Sequence, residues 1–525
     1  MVPIIGNTLF SQEASVVIQG LKATTLIVKC PLKALDEALP VFVKQILHIV
    51  RQAGNTESEV VQTAFRALVV IIRDCKTSEV KEKDLSYLLE VIAVDLEEPE
   101  RQATVFALLR AIISRKFVVE EIYDIMDKVE EVMVTNQSQQ VREVCRAVLL
   151  QFLLDYPQGK GRLKNQMNFL AKNLSYVFES GRKSVMEILN AIFLKFDRAL
   201  LREYADLFFV ALVMVLANDD SSKCREMAAE LIKLLFKQVD ADYRKTFISH
   251  LHTWSSGKAQ IHLSRVSAQV YGLAVDTLQQ GVAQYSTMIL ADMNAVVTQS
   301  ASDLLELETT GDNEGMEIDI EWQLPYHALN VLFKVLREQP ALLKSYSGVV
   351  WSDIAHHLLF PHAWVRSVSS RLIGLLFTTV SPSSPNLSLS DDNLLSLHGL
   401  IEAARGSCLQ LKGEGLDNAL SLQVVKNLLY IGKCLCDVSV ANPPSFEQDS
   451  EGDSDEEGEN ADELPQELDP QAEDKLENIK RNPLPWLFSK LSYQARSAWL
   501  ARRNRSVNEV CNVFYPKRIT TNYLL

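Results

Sequence analysis

The sequence predicts an all-α protein built as a solenoid of stacked helix pairs, and three observations lead to this prediction. Eight segments repeat a polar turn, then Val or Cys, a basic residue, a small residue three positions later and Leu or Ile four after that. The small position recurs at intervals of 40, 41, 40, 43, 40, 60 and 41 residues. Leu, Val, Ile and Ala dominate, and strand-type alternation is scarce. The small positions are Ala64, Thr104, Cys145, Val185, Ala228, Ala268, Ala328 and Ser369.

A spacing near forty residues is typical of the helix-pair repeat of HEAT and armadillo proteins. Residues three and four apart share one face of a helix, so the pattern marks a face that must be buried. One helix pair cannot bury that face alone, whereas stacked pairs bury it against each other and leave a long surface for binding. The clearest copies are Val141, Arg142, Cys145 and Leu149, and Cys224, Arg225, Ala228 and Ile232.

A second register supports this prediction, because an Asp or Asn precedes an arginine by six residues in three repeats. We expect the Asx side chain to cap the second helix of the pair. The arginine can then pair with the turn residue of the next repeat and form a structural ladder. The alternative is that these residues are solvated surface charges. The three pairs are Asp95 and Arg101, Asn136 and Arg142, and Asp219 and Arg225.

Length and cysteine usage narrow the class of protein. A chain of 525 residues is too long for one compact core, but a solenoid grows by adding repeats. The eight cysteines show neither a disulfide framework nor zinc spacing, which favours a reducing compartment. The first nineteen residues lack the features of a signal peptide, and no run of eighteen apolar residues predicts a membrane span.

Composition divides the chain into five regions. We predict a HEAT-repeat solenoid at 1–299, an acidic disordered loop at 300–321 and continuing HEAT-type helices at 322–440, with a loop at 378–393. The segment 300–321 coincides with the 60-residue interval and holds eight acidic residues with no lysine or arginine. An acidic disordered linker at 441–478 and a basic amphipathic tail at 479–525 complete the chain. The net charge of −14 is therefore unevenly distributed, with an acidic linker directly before a basic tail.

The acidic linker contains two candidate phosphorylation sites. Fourteen acidic residues and no basic residue lie between Glu447 and Asp474. Ser450 and Ser454 each have an acidic residue three positions later, which is the pattern that acidophilic casein-kinase-type enzymes prefer. Phosphorylation would add negative charge that competes with RNA for basic surfaces. The alternative is an unmodified solubilising spacer.

The basic tail has nine basic residues and one acidic residue from Asn478 to Leu525. Its apolar spacing after Pro483 and Pro485 suits a short amphipathic helix that orders on a partner. Aromatic rings can stack on unpaired bases while guanidinium groups bind phosphates. A helix docked in a protein groove is the alternative. The candidate RNA or partner contacts are Trp486, Lys490, Arg496, Trp499, Arg502, Arg503, Arg505, Lys517 and Arg518.

The sequence contains no motif for catalysis. Nucleophile elbow, phosphate loop, dinucleotide-binding fingerprint and metalloprotease signature are absent, so we expect no enzyme activity and no cofactor. His356, His357 and His362 are the closest approach to a metal site, but their spacing fits no standard site and a turn or surface role is favoured. No small-molecule substrate or membrane partner is expected.

Nearly the whole chain resembles a known family, most strongly from Trp322 to Phe377 and in the last forty residues. The run Trp351-Ser352-Asp353-Ile354, the segment from Leu359 to Arg366 and the run from Arg371 to Phe377 are similar to the C-terminal part of component 20 of the small-subunit processome, a very large HEAT-repeat family also called down-regulated in metastasis. The acidic linker and the tail around Arg502-Arg503-Asn504-Arg505 are similar too.

The resemblance implies a non-enzymatic scaffold of the nucleus and nucleolus. It would bind precursor ribosomal RNA, small nucleolar ribonucleoprotein components and other processome proteins during maturation of 18S rRNA. Family members are several times longer, so this chain would be a C-terminal fragment or a short isoform. A karyopherin-like transport receptor is the main alternative from periodicity alone, although its acidic inner face would bind the basic tail. Another HEAT-repeat protein scaffold, or an enzyme with its site on an insertion, remains open.

Overall fold

The protein was analysed as a computed structural model, which describes residues 1–30, 32–53, 55–75, 80–257, 260–309, 320–345, 348–379, 394–411 and 418–441. Within these ranges every regular element is a helix and no strand is present. The chain divides into two compact units, unit 1 (Met1–Arg244) and unit 2 (from Lys245 onward). The prediction of an all-α fold of HEAT/armadillo type is confirmed.

Unit 1 consists of helix pairs joined by short turns. A 3₁₀ turn at Ala93–Leu96 precedes α6, and α13 contains the boundary between the units. The helices are α1 (Val2–Thr8), α2 (Ala14–Ile27), α3 (Lys33–Ala53), α4 (Glu59–Asp74), α5 (Glu82–Ile92), α6 (Gln102–Arg115), α7 (Glu121–Thr135), α8 (Gln139–Asp155), α9 (Lys160–Asn173), α10 (Glu179–Lys195), α11 (Arg198–Asn218), α12 (Ser222–Gln238) and α13 (Ala241–Ser255).

Unit 2 continues the pairing with less regular connections. Two further 3₁₀ turns, Gln279–Tyr285 and His357–Leu359, lie between its helices. The helices are α14 (Ile261–Leu278), α15 (Ser286–Thr309), α16 (Gln323–Glu338), α17 (Pro340–Ser345), α18 (Trp351–His356), α19 (Ala363–Thr379), α20 (Leu397–Gln410) and α21 (Asn418–Ala441).

The second helices of successive pairs pack directly on one another in each unit. We call these helices the second-helix row: α2, α4, α6, α8, α10 and α12 in unit 1, and α14, α16, α19 and α21 in unit 2. Their partners form the first-helix row: α1, α3, α5, α7, α9 and α11 in unit 1, and α15, α18 and α20 in unit 2. Each second helix therefore has one side against its partner and a face that remains available to solvent.

The small positions of the repeat pattern lie where the helices approach each other. Seven of the eight are fully buried, and the eighth, Thr104, is 7% exposed. The residue four positions later is a fully buried Leu or Ile in seven repeats. In α14 it is Gly272, where the Lys334 ammonium group donates to the glycine carbonyl at 3.3 Å. The repeat positions predicted from the sequence are therefore core positions.

Four arginines hold the turns between the paired helices by one repeated geometry. Each side chain donates to the backbone carbonyls six and five residues earlier, with N···O distances of 2.5 to 3.1 Å. These carbonyls end the first helix or belong to the turn, so the guanidinium group satisfies acceptors that would otherwise lack partners. The arginines are Arg142, Arg182, Arg225 and Arg366.

The predicted ladder needs correction in two respects. Asn136 and Asp219 do not cap the second helix, because their side chains accept from the backbone N–H of Ser138 and Ser221, two residues later. The N-cap of α12 is Ser221, whose hydroxyl accepts from Cys224. Asp and Asn close the turn instead, and the following serine occupies the cap position.

The arginines of the ladder also bind within their own turn. Arg142 and Arg225 reach their own turn carbonyls, and Arg101 pairs with Asp95 at 2.8 Å. The cross-repeat link at Asp95 comes from the Thr56 hydroxyl at 2.7 Å. Two other arginines pair forward into the next repeat: Arg182 binds Asp219 and Asp220, and Arg265 binds Gln323 and Glu321.

Two predicted loop boundaries are wrong. Helix α15 continues through 300–309, although these residues were assigned to the acidic loop 300–321. Val297 and Ala301 are buried and share one helix face, and this apolar contact outweighs the acidic composition of the exposed side. Residues 378 and 379, assigned to the loop 378–393, belong to α19. Residues 310–319 and 380–393 lie outside the described ranges.

Candidate nucleic-acid interface

The binding residues predicted from the sequence lie outside the described residues. This applies to all tail candidates from Trp486 to Arg518 and to the phosphorylation candidates Ser450 and Ser454, because nothing beyond residue 441 is described. They stay predictions. The described second-helix row of unit 2 nevertheless brings together a different set of aromatic and basic side chains.

The first part of this surface is an aromatic cluster at the N-terminal ends of α16 and α19. Trp322 precedes α16, and its ring stacks on His362 with centroids 3.7 Å apart and 3° between the planes. Trp364 lies edge-on to both rings, at 5.3 Å from Trp322 and 5.6 Å from His362. Tyr326 lies 5.7 Å from Trp364. We call these four residues the aromatic turn.

The aromatic turn presents a free ring to solvent. Trp364 is 58% exposed, although an indole of this size is usually buried in a core or an interface. The stacked rings of Trp322 and His362 contact the Trp364 indole and restrict its orientation. An exposed indole held edge-on by two other rings is a ready platform for a flat, unpaired base.

The histidine of the cluster acts as a neutral ring. Its Nδ1 accepts from the backbone N–H of Trp364 at 3.3 Å. Burial lowers the pKa of His362, and the nearby Arg366 guanidinium lowers it further. The imidazole therefore stacks on Trp322 as an uncharged aromatic group at neutral pH.

Two further histidines of unit 2, His327 and His357, have structural partners as well. His357 is fully buried, its Nδ1 donates to the Asp353 carbonyl at 2.7 Å and its Nε2 accepts from Ser300 at 3.0 Å. His327 accepts from the Gln269 amide at 2.9 Å, and burial, with Arg265 and Lys334 nearby, lowers its pKa to about 4. Among the described side chains no group of three or more potential metal ligands is found.

The second part of the surface is a set of basic side chains on α16, α19 and α21, which are exposed at Arg371, Lys426 and Lys433 and partly buried at Lys334. We call Lys334, Arg371, Lys426 and Lys433 the basic face. The Arg371 guanidinium lies over the Phe333 ring at 4.2 Å, and the Lys433 ammonium lies 5.5 Å from the Tyr430 centroid. Lys334 pairs with Asp276 at 2.6 Å. Cation–π contacts hold the charges at the surface while leaving their N–H groups able to bind an anion.

Charge is divided between the two rows of unit 2. The four helices of this second-helix row carry seven basic residues, one on α14 and two on each of α16, α19 and α21, against the three acidic residues Asp276, Glu338 and Asp437. Helix α15 of the first-helix row carries four acidic residues and no basic one. In a chain of net charge −14, the second-helix row of unit 2 is thus a positively charged surface.

Sequence reasoning missed this surface, although one signal was present. Trp322 and Trp364 are 42 residues apart, one more than the 41-residue repeat, so both rings fall near the start of a second helix in successive repeats. The run containing Trp364 was noted only for its family resemblance. Exposure and ring stacking depend on the packing of α16 against α19, which a single sequence does not display.

None of the described helices combines the length and apolar composition needed to cross a bilayer. No protein-family model matches the chain. It is 36% identical to the U3 small nucleolar RNA-associated protein 20 of Schizosaccharomyces pombe over 435 residues, 82% of this chain and 17% of that protein. The protein of the same name from Saccharomyces cerevisiae is 32% identical over 376 residues, 71% of this chain and 14% of that protein.

The chain thus spans less than a fifth of the length of these curated relatives. Solved structures similar to it include the Pds5–Scc1 complex, with a TM-score of 0.41, 10% identity and coverage of 93% of this chain and 73% of that chain. Importin beta has a TM-score of 0.36 and 14% identity, over 82% of this chain and 57% of that chain.

Proposed function

The chain belongs to the family of U3 small nucleolar RNA-associated protein 20, and on this premise we propose that it is a non-enzymatic scaffold of the small-subunit processome in the nucleolus. It binds precursor ribosomal RNA and assembly factors during maturation of 18S rRNA. Small nucleolar ribonucleoprotein components and other processome proteins are its partners. The relatives' name, which specifies association with U3 small nucleolar RNA, supports an RNA-rich setting for this segment.

The observation that carries the RNA-binding part is the positive second-helix row of unit 2 beside the aromatic turn. Lysine and arginine side chains bind phosphates without regard to sequence, whereas an exposed indole stacks on an unpaired base. A smooth duplex offers no free base to Trp364, so the combination favours single-stranded or loop regions of structured RNA. Basic side chains of the tail, including Arg502, Arg503 and Arg505, would extend the electrostatic contact.

The karyopherin-like alternative requires an acidic surface for basic cargo. The six-to-two excess of basic over acidic residues on α16, α19 and α21 favours a polyanion instead. Binding of the transport GTPase in its GTP-bound but not its GDP-bound state would support the alternative.

The test measures binding of the full chain to fluorescein-labelled single-stranded RNA by fluorescence anisotropy over a range of salt concentrations. We expect affinity to fall with salt, and Arg371→Gln to reduce the logarithmic salt slope by about 0.7. Trp364→Ala removes a stacked base and should weaken binding about tenfold without changing the slope. Arg405→Gln, on α20 of the first-helix row, is the matched control.

Arg405 is paired with Glu402 at 3.2 Å, and its removal should leave RNA binding unchanged. RNA affinity that does not depend on salt, or that falls equally in Arg371→Gln and Arg405→Gln, would contradict the proposal. If duplex RNA competes for binding as effectively as single-stranded RNA, the proposed stacking of an unpaired base on Trp364 would be wrong.

A further inference from the structure

A groove of about 600 Å³ crosses the second-helix row of unit 1 between α4, α6 and α8. Its lining combines apolar side chains with polar and charged ones. The Gln151 amide donates to the Ser114 hydroxyl at 2.8 Å and bridges α8 to α6 at one end. The lining includes Val69, Ala103, Phe106, Ala107, Val141 and Val144. A volume of this size accommodates several side chains of a ligand.

The groove differs from the repeats of α10 and α12 at a particular position. Two residues after the small position, α10 carries Glu187 and α12 carries Glu230, whose side chains are 48% and 72% exposed. In α6 the corresponding residue is Phe106, and its ring is only 4% exposed. An apolar side chain thus replaces a solvated carboxylate, and the nearby alanines Ala103 and Ala107 leave space above it. Such a floor fits the apolar face of a helix.

The charges around the groove define the chemistry of its occupant. Arg73 and Arg110 are the charged side chains of the lining. Arg73 is already held by Asp74 through two hydrogen bonds of 2.7 and 2.8 Å. Arg110 is exposed and has no ion-pair partner among the described side chains. Glu100, beside Pro99 at the other end, gives that end the opposite charge.

We infer that this groove is the docking site for an amphipathic, acidic helix of a partner protein. The apolar face of that helix covers Phe106 and Ala107, and one of its carboxylates pairs with Arg110. The C-terminal end of the helix lies toward Arg110 and its N-terminal end toward Glu100, because both ends of its macrodipole are then matched by opposite charge. This site is in unit 1 and does not depend on RNA binding by unit 2.

The experiment uses the full chain and a fluorescein-labelled peptide of about fourteen residues, held helical by a lactam staple because a free helix of this length is marginal in water. Leucines form one face of the peptide and glutamates flank them. A second peptide has lysines in place of the glutamates. Binding is measured by fluorescence anisotropy for the wild type and for Ala107→Trp, Arg110→Glu and the control Arg198→Glu, which changes an exposed residue of α11.

We expect micromolar binding of the glutamate peptide and a loss of at least about tenfold in Ala107→Trp, where the indole fills the groove. Arg110→Glu should weaken the glutamate peptide about tenfold and strengthen the lysine peptide, because the charge pair is exchanged. Arg198→Glu should change neither. Arg110→Glu alters an exposed side chain and so tests the site even if Ala107→Trp fails to fold.

Absence of glutamate-peptide binding at about 100 µM would overturn the inference. Equal binding of the two peptides, or affinities that the groove substitutions leave unchanged, would overturn it as well. If Arg110→Glu instead weakened single-stranded RNA and left the peptide unaffected, the groove would be part of a nucleic-acid surface and the inference would be wrong.

Discussion

Neighbouring repeats are joined by different side chains at the turn before α10 in unit 1 and at the turn before α16 in unit 2. In unit 1 the Arg182 side chain is 9% exposed and bonds two turn carbonyls together with Asp219 and Asp220 of the next repeat. In unit 2 the turns before α16 and α19 carry Trp322, His362 and Trp364, and the Trp364 indole remains largely in solvent. In unit 1 the Arg182 guanidinium joins successive repeats, whereas in unit 2 stacked rings join the turns before α16 and α19 and one indole stays exposed.

The same comparison holds for buried ionisable groups. Unit 1 buries a carboxyl group, Glu130, which is 3% exposed, and unit 2 encloses a histidine, His327, that accepts a hydrogen bond. Burial disfavours the charged form of both groups. The carboxyl group becomes charged as pH rises, whereas the imidazole becomes charged as pH falls. The surroundings of Glu130 and of His327 should therefore respond to pH in opposite directions.

The largest effect is expected for Arg182→Ala in unit 1. The substitution leaves Asp219, whose side chain is 3% exposed, without its guanidinium partner, so we expect a loss of about 3–5 kcal/mol in local stability. Arg225→Ala removes bonds to two carbonyls only and should cost about 1 kcal/mol. Hydrogen exchange of the α10 and α12 amides measures both. Equal losses would show that the cross-repeat link contributes nothing.

A second effect concerns Glu130→Gln, which should stabilise unit 1. Burial, followed by the Asp127 and Glu131 charges, raises the pKa of Glu130 from 4.5 to about 8. Because the folded pKa is the higher one, the wild type loses stability as pH rises from about 4.5 to 8, and the amide removes that loss. We expect a gain of about 2–4 kcal/mol at pH 8 and none at pH 4.5.

Hydrogen exchange of α7 and α8, corrected for the intrinsic pH dependence, provides the measurement. Glu131→Gln, which removes only the smallest of the three causes, is the comparison and should give a much smaller gain than Glu130→Gln. A Glu130→Gln gain that persists undiminished at pH 4.5 would mean that the carboxyl group is not the cause.

A smaller effect of opposite direction is expected in unit 2. Burial first, and then Arg265 and Lys334, lower the pKa of His327 to about 4, while the imidazole in an unfolded chain titrates near 6.5. The folded pKa is the lower one, so the stability of α14 and α16 should fall by about 2 kcal/mol as pH decreases from 6.5 to 4. In His327→Gln this decrease should disappear, because glutamine does not titrate.

The sequence predicted the fold well because repeat spacing reflects local packing. All eight small positions are core residues, and the turn arginines lie in the predicted register. The partners of each arginine were not predictable. Arg142 and Arg182 both bind their own turn, and Arg182 also binds the next repeat because Asp219 approaches it across 37 residues. The limits of α15 were misjudged because acidic composition concealed the buried face at Val297 and Ala301.

The candidate site was less predictable than the fold. The aromatic turn joins residues about one repeat apart, and its exposed indole emerges only when α16 and α19 pack together. The tail candidates, including Trp486 and Arg502, remain sequence-based predictions because they lie beyond the described residues. The repeated pattern in the sequence thus predicts the helix pairs, whereas the aromatic turn can be recognised only in the structure.

The central claim, that the second-helix row of unit 2 binds RNA, is tested most directly by ultraviolet crosslinking in cells, with the crosslinked peptides and nucleotides sequenced. The account predicts that peptides containing Trp322 or Trp364 are joined to unpaired nucleotides of precursor ribosomal RNA and that the Trp364 crosslink is lost in Trp364→Ala. Crosslinks confined to residues 479–525, with none on α16, α19 or α21, would contradict it.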